Sequence, residues 1–293
     1  MFEGSIAALV TPFTDQGEVD AGALRRLVDF HLEQGTNGLV IAGTTGESVA
    51  LTPSEFTGIL DLVVEQVDGR IPVIAGTGSA MTRRSVDQTR LAAAHGAAAA
   101  LVVTPYYVRP PQRGLEAHFV AIADESDIPV ILYNVPSRTS VDLLPQTVEG
   151  LSGHPRIIGI KEATGDIRRI DEILDRCGDS FVVLSGDDHS CLQAMKSGAR
   201  GVISVAANVA PGRMAELCAA AKLQDWARAD ELENELSGLF DILMIETNPI
   251  PVKWSLFEMG LVGPHIRLPM TGLDVEYRER LRRCLHELGL MPS

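Results

Sequence analysis

Short apolar runs alternate along the chain with longer segments in which apolar residues recur every three or four positions. The runs are rich in valine, isoleucine and alanine, and residues pointing to either face of an extended strand would be apolar. Strands of this kind are typical of a parallel sheet that is covered on both faces. The runs predict eight strands, at Ser5–Thr11, Gly38–Ala42, Pro72–Ala75, Ala99–Thr104, Pro129–Tyr133, Ile157–Lys161, Phe181–Ser185 and Gly201–Ser204.

The longer segments have the spacing of amphipathic helices. The main ones are Ala23–Gln34, Pro53–Gln66, Arg83–His95, Arg113–Ser126 and Ile167–Cys177. Strands that alternate with helices predict a parallel sheet, and eight such units predict a closed (β/α)8 TIM barrel. A doubly wound open sheet is the alternative fold.

The chain continues beyond the eighth predicted strand. Arg213–Lys222 completes the alternation, and three more helices are expected at Asp225–Met244, Pro249–Gly260 and Asp274–Leu288. We therefore predict two units, a catalytic barrel over residues 1–224 and a helical C-terminal extension over residues 225–293.

Composition and charge exclude several classes of protein. The net charge of −14 disfavours binding to nucleic acid or to an anionic membrane. No apolar run reaches 18 residues, so we expect no membrane-spanning helix. The start of the chain lacks a basic segment followed by an apolar one, and no two of the four cysteines form a C-x-x-C motif. We expect a reduced, cytoplasmic protein without a secretory signal.

One of only four lysines, Lys161, ends the sixth predicted strand. Lysine is seldom found in an apolar run, because its ammonium group is strongly hydrated. Burial lowers the pKa of a lysine, and a free amine is the nucleophile that forms a Schiff base with a carbonyl substrate. The alternative is that Lys161 only caps the strand and extends its ammonium group into water.

Other polar residues follow the carboxyl ends of the predicted strands, where the chemistry of such barrels collects. Thr44 and Thr45 lie in a Gly-Thr-Thr-Gly turn, whose backbone N–H groups could bind a carboxylate. The same turn could simply cap the next helix. Tyr133 could be a core aromatic, or it could relay protons if hydroxyls such as those of Thr44 and Tyr107 hold it in a hydrogen-bonded chain.

Two further groups of residues have a structural and a functional interpretation. Arg138 is either a surface charge or a bidentate clamp for a substrate carboxylate. Asp187, Asp188 and His189 combine ligand types that hold divalent ions. Three consecutive residues rarely converge on one ion, however, so we expect no metal site.

Several motifs, in this order and spacing, resemble those of the dihydrodipicolinate synthase / N-acetylneuraminate lyase family of pyruvate-dependent class I aldolases. The likeness runs from about residue 2 to about residue 290. The motifs are Gly43–Glu47, Tyr133–Thr139, Gly159–Gly165, Ser185–Asp188, Gly201–Ser204 and Asn248–Trp254.

The resemblance implies a reaction and a set of partners. It implies condensation of pyruvate with L-aspartate-4-semialdehyde to 4-hydroxy-tetrahydrodipicolinate, in the diaminopimelate route to lysine. Lys161 would form the imine with pyruvate, so no metal or organic cofactor is expected. Tyr133 would move protons in a relay with Thr44 and with Tyr107 from a neighbouring subunit. The chain would form a homotetramer, as a dimer of dimers, or a dimer.

The resemblance also implies roles for four binding residues. Thr45 and its loop would hold the pyruvate carboxylate, and Arg138 would bind the carboxylate of the semialdehyde. Gly186 and Ile203 would line the pyruvate pocket.

The Pro-Ser-Arg-Thr run that contains Arg138 favours this synthase reaction, because an arginine suits a small acidic aldehyde better than a polyhydroxylated sugar. The main alternative is a class I pyruvate lyase of a sugar acid, either N-acetylneuraminate or a 2-keto-3-deoxy acid. A metal-dependent class II aldolase or hydratase and a non-catalytic binding protein remain further alternatives.

One departure from the family concerns regulation. Members inhibited by lysine carry polar residues at a subunit-interface site, often histidines and an acid. The matching positions here are Pro53, Phe56, Ala80 and Arg84. Arg84 would repel a cationic ligand, so weak or absent inhibition by lysine is expected.

Overall fold

The fold is a closed barrel of eight parallel strands, seen in a computed structural model that describes residues 2–291. Neighbouring strands follow chain order, and the eighth pairs with the first. The predicted (β/α)8 TIM barrel is therefore confirmed. The strands are β1 Gly4–Ala8, β2 Gly38–Ile41, β3 Val73–Gly76, β4 Ala99–Val103, β5 Val130–Asn134, β6 Ile157–Glu162, β7 Val182–Ser185 and β8 Gly201–Ser204.

Helices surround the barrel and continue beyond it. Within the described residues they are α1 Ala21–Glu33, α2 Pro53–Val67, α3 Thr82–Ala94, α4 Gln112–Asp124, α5 Pro136–Thr139, α6 Pro145–Ser152, α7 Ile167–Cys177, α8 Cys191–Ser197, α9 Pro211–Lys222, α10 Trp226–Leu243, α11 Ile250–Glu258 and α12 Val275–Glu287. The sequence patterns did not predict α5, α6 or α8. The other helices begin and end within a few residues of the predicted bounds.

The first strand is shorter than predicted, because the segment after Ala8 leaves the sheet. Leu9 N still donates to Val40 O at 2.9 Å, but Val10 N donates to the Asn208 side chain at 3.1 Å. Thr11 Oγ1 then donates to Gly46 O at 2.7 Å. The end of this segment therefore supports a loop at the carboxyl end of the barrel.

Each apolar strand contributes side chains to two apolar layers, one inside the barrel and one outside it, as β5 illustrates. Val130 and Leu132 pack outward in a cluster with residues of the surrounding helices. Ile131 and Tyr133 belong to a separate cluster inside the barrel. Because alternate residues of a strand point to opposite faces, Tyr133 faces the barrel interior near its carboxyl end.

The C-terminal extension, α10 to α12, packs on the barrel. One apolar cluster joins side chains of α10 and α12 to side chains of α1, α2 and α9. Arg267 of the extension adds polar contacts: its guanidinium donates to Gly17 O, to Ala50 O and to Glu55. The hydrogen bond from Arg267 lowers the pKa of the Glu55 carboxyl to about 2. The division after residue 224 remains a prediction. Residue 1 and residues 292–293, the outer ends of the two predicted units, lie outside the described residues.

Within the described residues, no helix combines the length and the apolar character needed to cross a membrane.

Candidate active site

A cavity of about 130 Å³ opens at the carboxyl end of the barrel. Its wall combines strand ends, the loops that follow them and part of α10. The lining residues that the following paragraphs discuss are Thr44, Thr45, Tyr133, Arg138, Lys161, Gly186, Asp187, Asp188, His189, Ile203, Phe240, Leu243 and Asn248. The edge of the barrel that collects these residues is the edge at which the sequence predicts the chemistry.

Lys161 lies on β6 and its side chain enters this cavity. The residue is only 6% exposed, and its Nζ lies 4.5 Å from the centre of the Tyr133 ring on the neighbouring strand. The other buried lysine, Lys253, is paired with Glu47 at 2.6 Å, whereas in residues 2–291 Lys161 has no carboxylate partner within 4.0 Å. The Lys161 amine in the cavity is therefore not engaged in an ion pair within the described residues.

Gly186 makes room for that amine. A Cβ atom at this position would lie 2.8 Å from Lys161 Cε and 2.6 Å from the Ala163 Cβ. Both distances are shorter than real Cβ contacts, and Ala163 cannot move without the backbone of the β6 end. Glycine is thus required here for the observed path of the Lys161 side chain.

Gly186→Ala should displace the amine of Lys161. We expect trapping of a carbonyl compound on Lys161, measured by borohydride reduction and mass spectrometry, to slow by at least about 10²-fold, since a displacement of 1 Å can cost that much. Gly58→Ala is the matched control, because a Cβ at Gly58 meets nothing within 4 Å. Trapping of the Gly186 variant at the parental rate would contradict this account.

The turn after β2 is held from several sides. Glu47 N donates to Thr44 O at 3.1 Å, and Asn248 Nδ2 donates to Thr45 Oγ1 at 3.0 Å. At Gly46 a Cβ would lie 3.1 Å from both Ala42 N and Leu9 O, so the turn can approach the barrel closely only with glycine. The turn therefore presents Thr44 and Thr45 to the cavity in a fixed position.

Arg138 stands at the mouth of the cavity on the short helix α5, which begins at Pro136. Its guanidinium donates to Asn248 O at 3.3 Å, and the residue is exposed. This single backbone contact leaves further guanidinium N–H groups free to bind an anion.

Most of the predicted site residues meet in this one cavity. Those that line it are Lys161, Tyr133, Thr44, Thr45, Arg138, Gly186 and Ile203. In the described residues no hydrogen bond joins the hydroxyls of Tyr133 and Thr44. Tyr107 does not reach the cavity within one chain: it is 91% exposed, on a loop where its φ of 72° is left-handed.

Protein groups, several of them on other segments, bind the side chains of Asp187, Asp188 and His189. One oxygen of Asp188 accepts from Val205 N at 3.1 Å and from Ala206 N at 2.8 Å, and burial raises the pKa of its carboxyl. Asp187 accepts from Ser190 N at 2.9 Å, and His189 contacts Asp241. Over residues 2–291 no group of three or more such ligands converges on a point.

Glu162 follows Lys161 on β6 and points to the other face. Its carboxylate accepts from Asn134 Nδ2 at 3.0 Å and from Thr164 N at 2.8 Å. Burial raises the pKa of this carboxyl, against the opposing effect of those donors. The bonds fix the ends of β5 and β6 and hence the relative position of Tyr133 and Lys161.

Sequence reasoning missed the contribution of the C-terminal extension. Asn248 bridges the Thr45 hydroxyl and the Arg138 guanidinium, and Phe240 and Leu243 of α10 complete the cavity wall. The available signal was the Asn248–Trp254 motif, which carries part of the family resemblance but does not reveal a partner about 200 residues away.

Comparison with known proteins agrees with this geometry. The model of the Dihydrodipicolinate synthetase family matches residues 1–288. The 4-hydroxy-tetrahydrodipicolinate synthase of Pseudomonas aeruginosa is 53% identical over 291 residues, which cover 99% of this chain and 100% of that protein.

Solved structures give the same result. The chloride-inhibited dihydrodipicolinate synthase of Acinetobacter baumannii, complexed with pyruvate, has a TM-score of 0.98 at 47% identity, over 99% of this chain and 100% of that one. The Aquifex aeolicus dihydrodipicolinate synthase has a TM-score of 0.97 at 47% identity and covers 100% of both chains. The chain therefore belongs to the dihydrodipicolinate synthetase family.

Proposed function

We propose that the protein is a lyase that condenses pyruvate with L-aspartate-4-semialdehyde to give 4-hydroxy-tetrahydrodipicolinate, in the diaminopimelate route to lysine. The observation that carries this proposal is the buried Lys161 amine, which has no carboxylate partner in the described chain and faces Tyr133 in the cavity. Identity of 53% to a full-length synthase supports this reaction over the lyase reaction on a sugar acid.

The proposed chemistry uses protein side chains and the two substrates. The Lys161 amine attacks the carbonyl carbon of pyruvate, and water leaves as the imine forms. The iminium withdraws electrons, so the methyl group loses a proton and becomes an enamine. The enamine carbon attacks the aldehyde of the semialdehyde. The substrate amine then closes the ring at the imine carbon, and Lys161 leaves as a free amine. The iminium formed on Lys161 is the electron sink, so the proposal includes no cofactor.

Each remaining group has a proposed task. Tyr133 moves protons to and from the reacting atoms, together with Thr44, which lines the same cavity. Thr45 and its turn hold the pyruvate carboxylate, and Gly186 and Ile203 shape the space around the methyl group. Arg138 holds the carboxylate of the semialdehyde at the mouth.

Borohydride trapping tests the proposal directly. With pyruvate, reduction should leave a stable adduct on Lys161 that mass spectrometry of peptides locates. Assays with the semialdehyde and with a panel of sugar acids separate the synthase from a lyase. Loss of activity on treatment with a chelator, with no adduct, would instead support a metal-dependent aldolase.

Arg138→Ala should weaken use of the semialdehyde selectively. Loss of charge-assisted hydrogen bonds costs about 1.5–3 kcal/mol, so we expect kcat/KM for the semialdehyde to fall about 10- to 10²-fold while KM for pyruvate changes little. Steady-state kinetics with each substrate varied in turn measure both. Arg113→Ala, at an exposed position of α4, is the control. An equal loss for both substrates would argue against the proposed clamp.

We also propose that a second copy of the chain completes the site, in a homodimer or homotetramer. Tyr107 is 91% exposed, and Val49, Met81 and Val108 are large apolar side chains that are also exposed. A neighbouring subunit would cover these side chains and could receive Tyr107. Sedimentation that finds only monomers with full specific activity would rule this assembly out.

Lysine should inhibit the enzyme weakly or not at all. Pro53, Phe56 and Arg84 line a surface groove together, and the guanidinium of Arg84 repels the lysine ammonium. We expect about 1 mM lysine to lower the rate by less than about twofold. A titration of initial rates measures this, with Arg84→Glu as the variant in which inhibition should increase. Saturable inhibition of the parent by micromolar lysine would contradict the prediction.

A further inference from the structure

A second lysine of the chain is also buried at the carboxyl end of the barrel, away from the reacting amine. Lys253 of α11 forms an ion pair with Glu47 at 2.6 Å, and the two side chains are 3% and 4% exposed. Lys253 Nζ lies 4.3 Å from the centre of the Phe13 ring. The second carboxylate oxygen of Glu47 accepts from Arg267 N at 3.1 Å. Both charges are thus removed from water and matched by fixed partners.

The pair connects the C-terminal extension to the turn that lines the cavity. Glu47 is the last residue of that turn, and its backbone N–H closes it by donating to Thr44 O. Lys253 follows Asn248 in the extension, and Asn248 binds the Thr45 hydroxyl. Two side chains of one segment therefore hold the turn, one at Thr45 and one at Glu47.

The backbone of Glu47 needs such support. Its φ of 56° is left-handed, a conformation that a non-glycine residue adopts only when its surroundings hold it there. A buried ion pair contributes little net stability, because removing both charges from water offsets their attraction. The pair instead fixes the orientation of the turn, because the Glu47 carboxylate can bind Lys253 Nζ and Arg267 N together in only one orientation.

We propose that Glu47 and Lys253 are positioning residues that hold the Thr44–Thr45 turn in the geometry that binds the carboxylate of the keto acid. The proposal rests on the proposed function, because it assumes that pyruvate occupies the cavity as the imine of Lys161. It makes the C-terminal extension part of the pyruvate subsite. Arg138 lies on α5, so the subsite of the second substrate should be less affected.

The experiment compares the double variant Glu47→Gln/Lys253→Met with the parent and with Lys253→Met alone. The single variant leaves a buried carboxylate without its cation and should unfold at a lower temperature, whereas the double variant removes both charges and should recover most of the loss. The matched control is Glu3→Gln/Lys222→Met, which removes an exposed ion pair of 2.7 Å.

The readout is the pyruvate concentration that gives half-maximal borohydride trapping on Lys161, together with KM for each substrate and kcat. We expect the double variant to need at least about tenfold more pyruvate, with KM for the semialdehyde within about threefold of the parent. Any fall in kcat would report displacement of Thr44 in the same turn. A purely structural role predicts recovery of stability with parental use of pyruvate, and that result would overturn the proposal. So would an equal rise in both KM values.

A third variant decides the question if the double variant does not fold. Glu47→Asp keeps both charges but shortens the side chain by one methylene, so the turn must move to preserve the pair. A rise of at least about threefold in the half-saturating pyruvate concentration supports the proposal, and no rise overturns it. Borohydride trapping of the parent protein distinguishes failure of the proposed function from failure of the positioning role. A parent without an adduct on Lys161 defeats the proposed function, and this inference with it. A trapped parent with unaffected variants defeats only the positioning role.

Discussion

Lys161→Arg is expected to abolish turnover, with kcat lowered by at least about 10⁴-fold, as when other covalent nucleophiles are removed. A guanidinium stays protonated and cannot form the imine on which every later step depends. The replacement keeps a long side chain in the cavity, so a loss of activity would reflect lost chemistry more than lost packing. The measurements are kcat in the condensation assay and the mass of the protein after borohydride treatment with pyruvate.

The control for this variant is Lys222→Arg, at a lysine whose side chain is 63% exposed on the outer surface. It should retain activity and still give the adduct. Circular dichroism and the melting temperature establish whether both variants are folded. A folded Lys161→Arg protein that condenses the two substrates at the parental rate would show that the reaction does not proceed through this amine.

Tyr133→Phe is expected to lower kcat by about 10²- to 10⁴-fold, the usual contribution of a positioned acid or base. The ring remains available to pack in the barrel interior, where Tyr133 is 8% exposed, so the variant should fold. The hydroxyl is removed, and proton transfer to and from the imine and the aldehyde oxygen should slow. Stopped-flow or quench measurements of turnover, with borohydride trapping of pyruvate alone, separate the steps.

Tyr277→Phe, on the partly exposed surface of α12, is the matched control and should behave as the parent. Tyr107→Phe should also lower kcat, by less than Tyr133→Phe does, only if a neighbouring subunit brings Tyr107 to the cavity. Parental kcat in Tyr133→Phe would remove the tyrosine from the mechanism and leave water or substrate groups to move the protons.

The barrel could be predicted because its strands are apolar on both faces. In β5, Val130 and Leu132 face the helices while Ile131 and Tyr133 face the interior, and such a run is typical of a covered parallel sheet. The number of βα units, eight, then favoured a closed barrel over a doubly wound open sheet. The short helices α5, α6 and α8 escaped prediction, since four to eight residues contain too few turns to establish a period.

The candidate site likewise has one part that the sequence could predict and one part that it could not. Lys161, Tyr133 and Thr44 follow strand ends, and the barrel topology alone brings such residues together. Asn248 and Lys253 lie in a motif that the sequence shows, but their contacts could not be predicted. They reach Thr45 and Glu47 across about 200 residues, and these contacts depend on how α11 docks. Lysine at position 253 also lies in a helical pattern, where a surface charge is the ordinary interpretation.

The docking of α11 affects when the enzyme can first work during its own synthesis. A nascent chain that has left the ribosome as far as β8 already contains Lys161, yet it lacks Asn248 and Lys253. Without them, the Thr44–Thr45 turn lacks the two side chains that bind it at Thr45 and Glu47. We therefore expect the keto acid to bind, and catalysis to begin, only when the last helices have been translated.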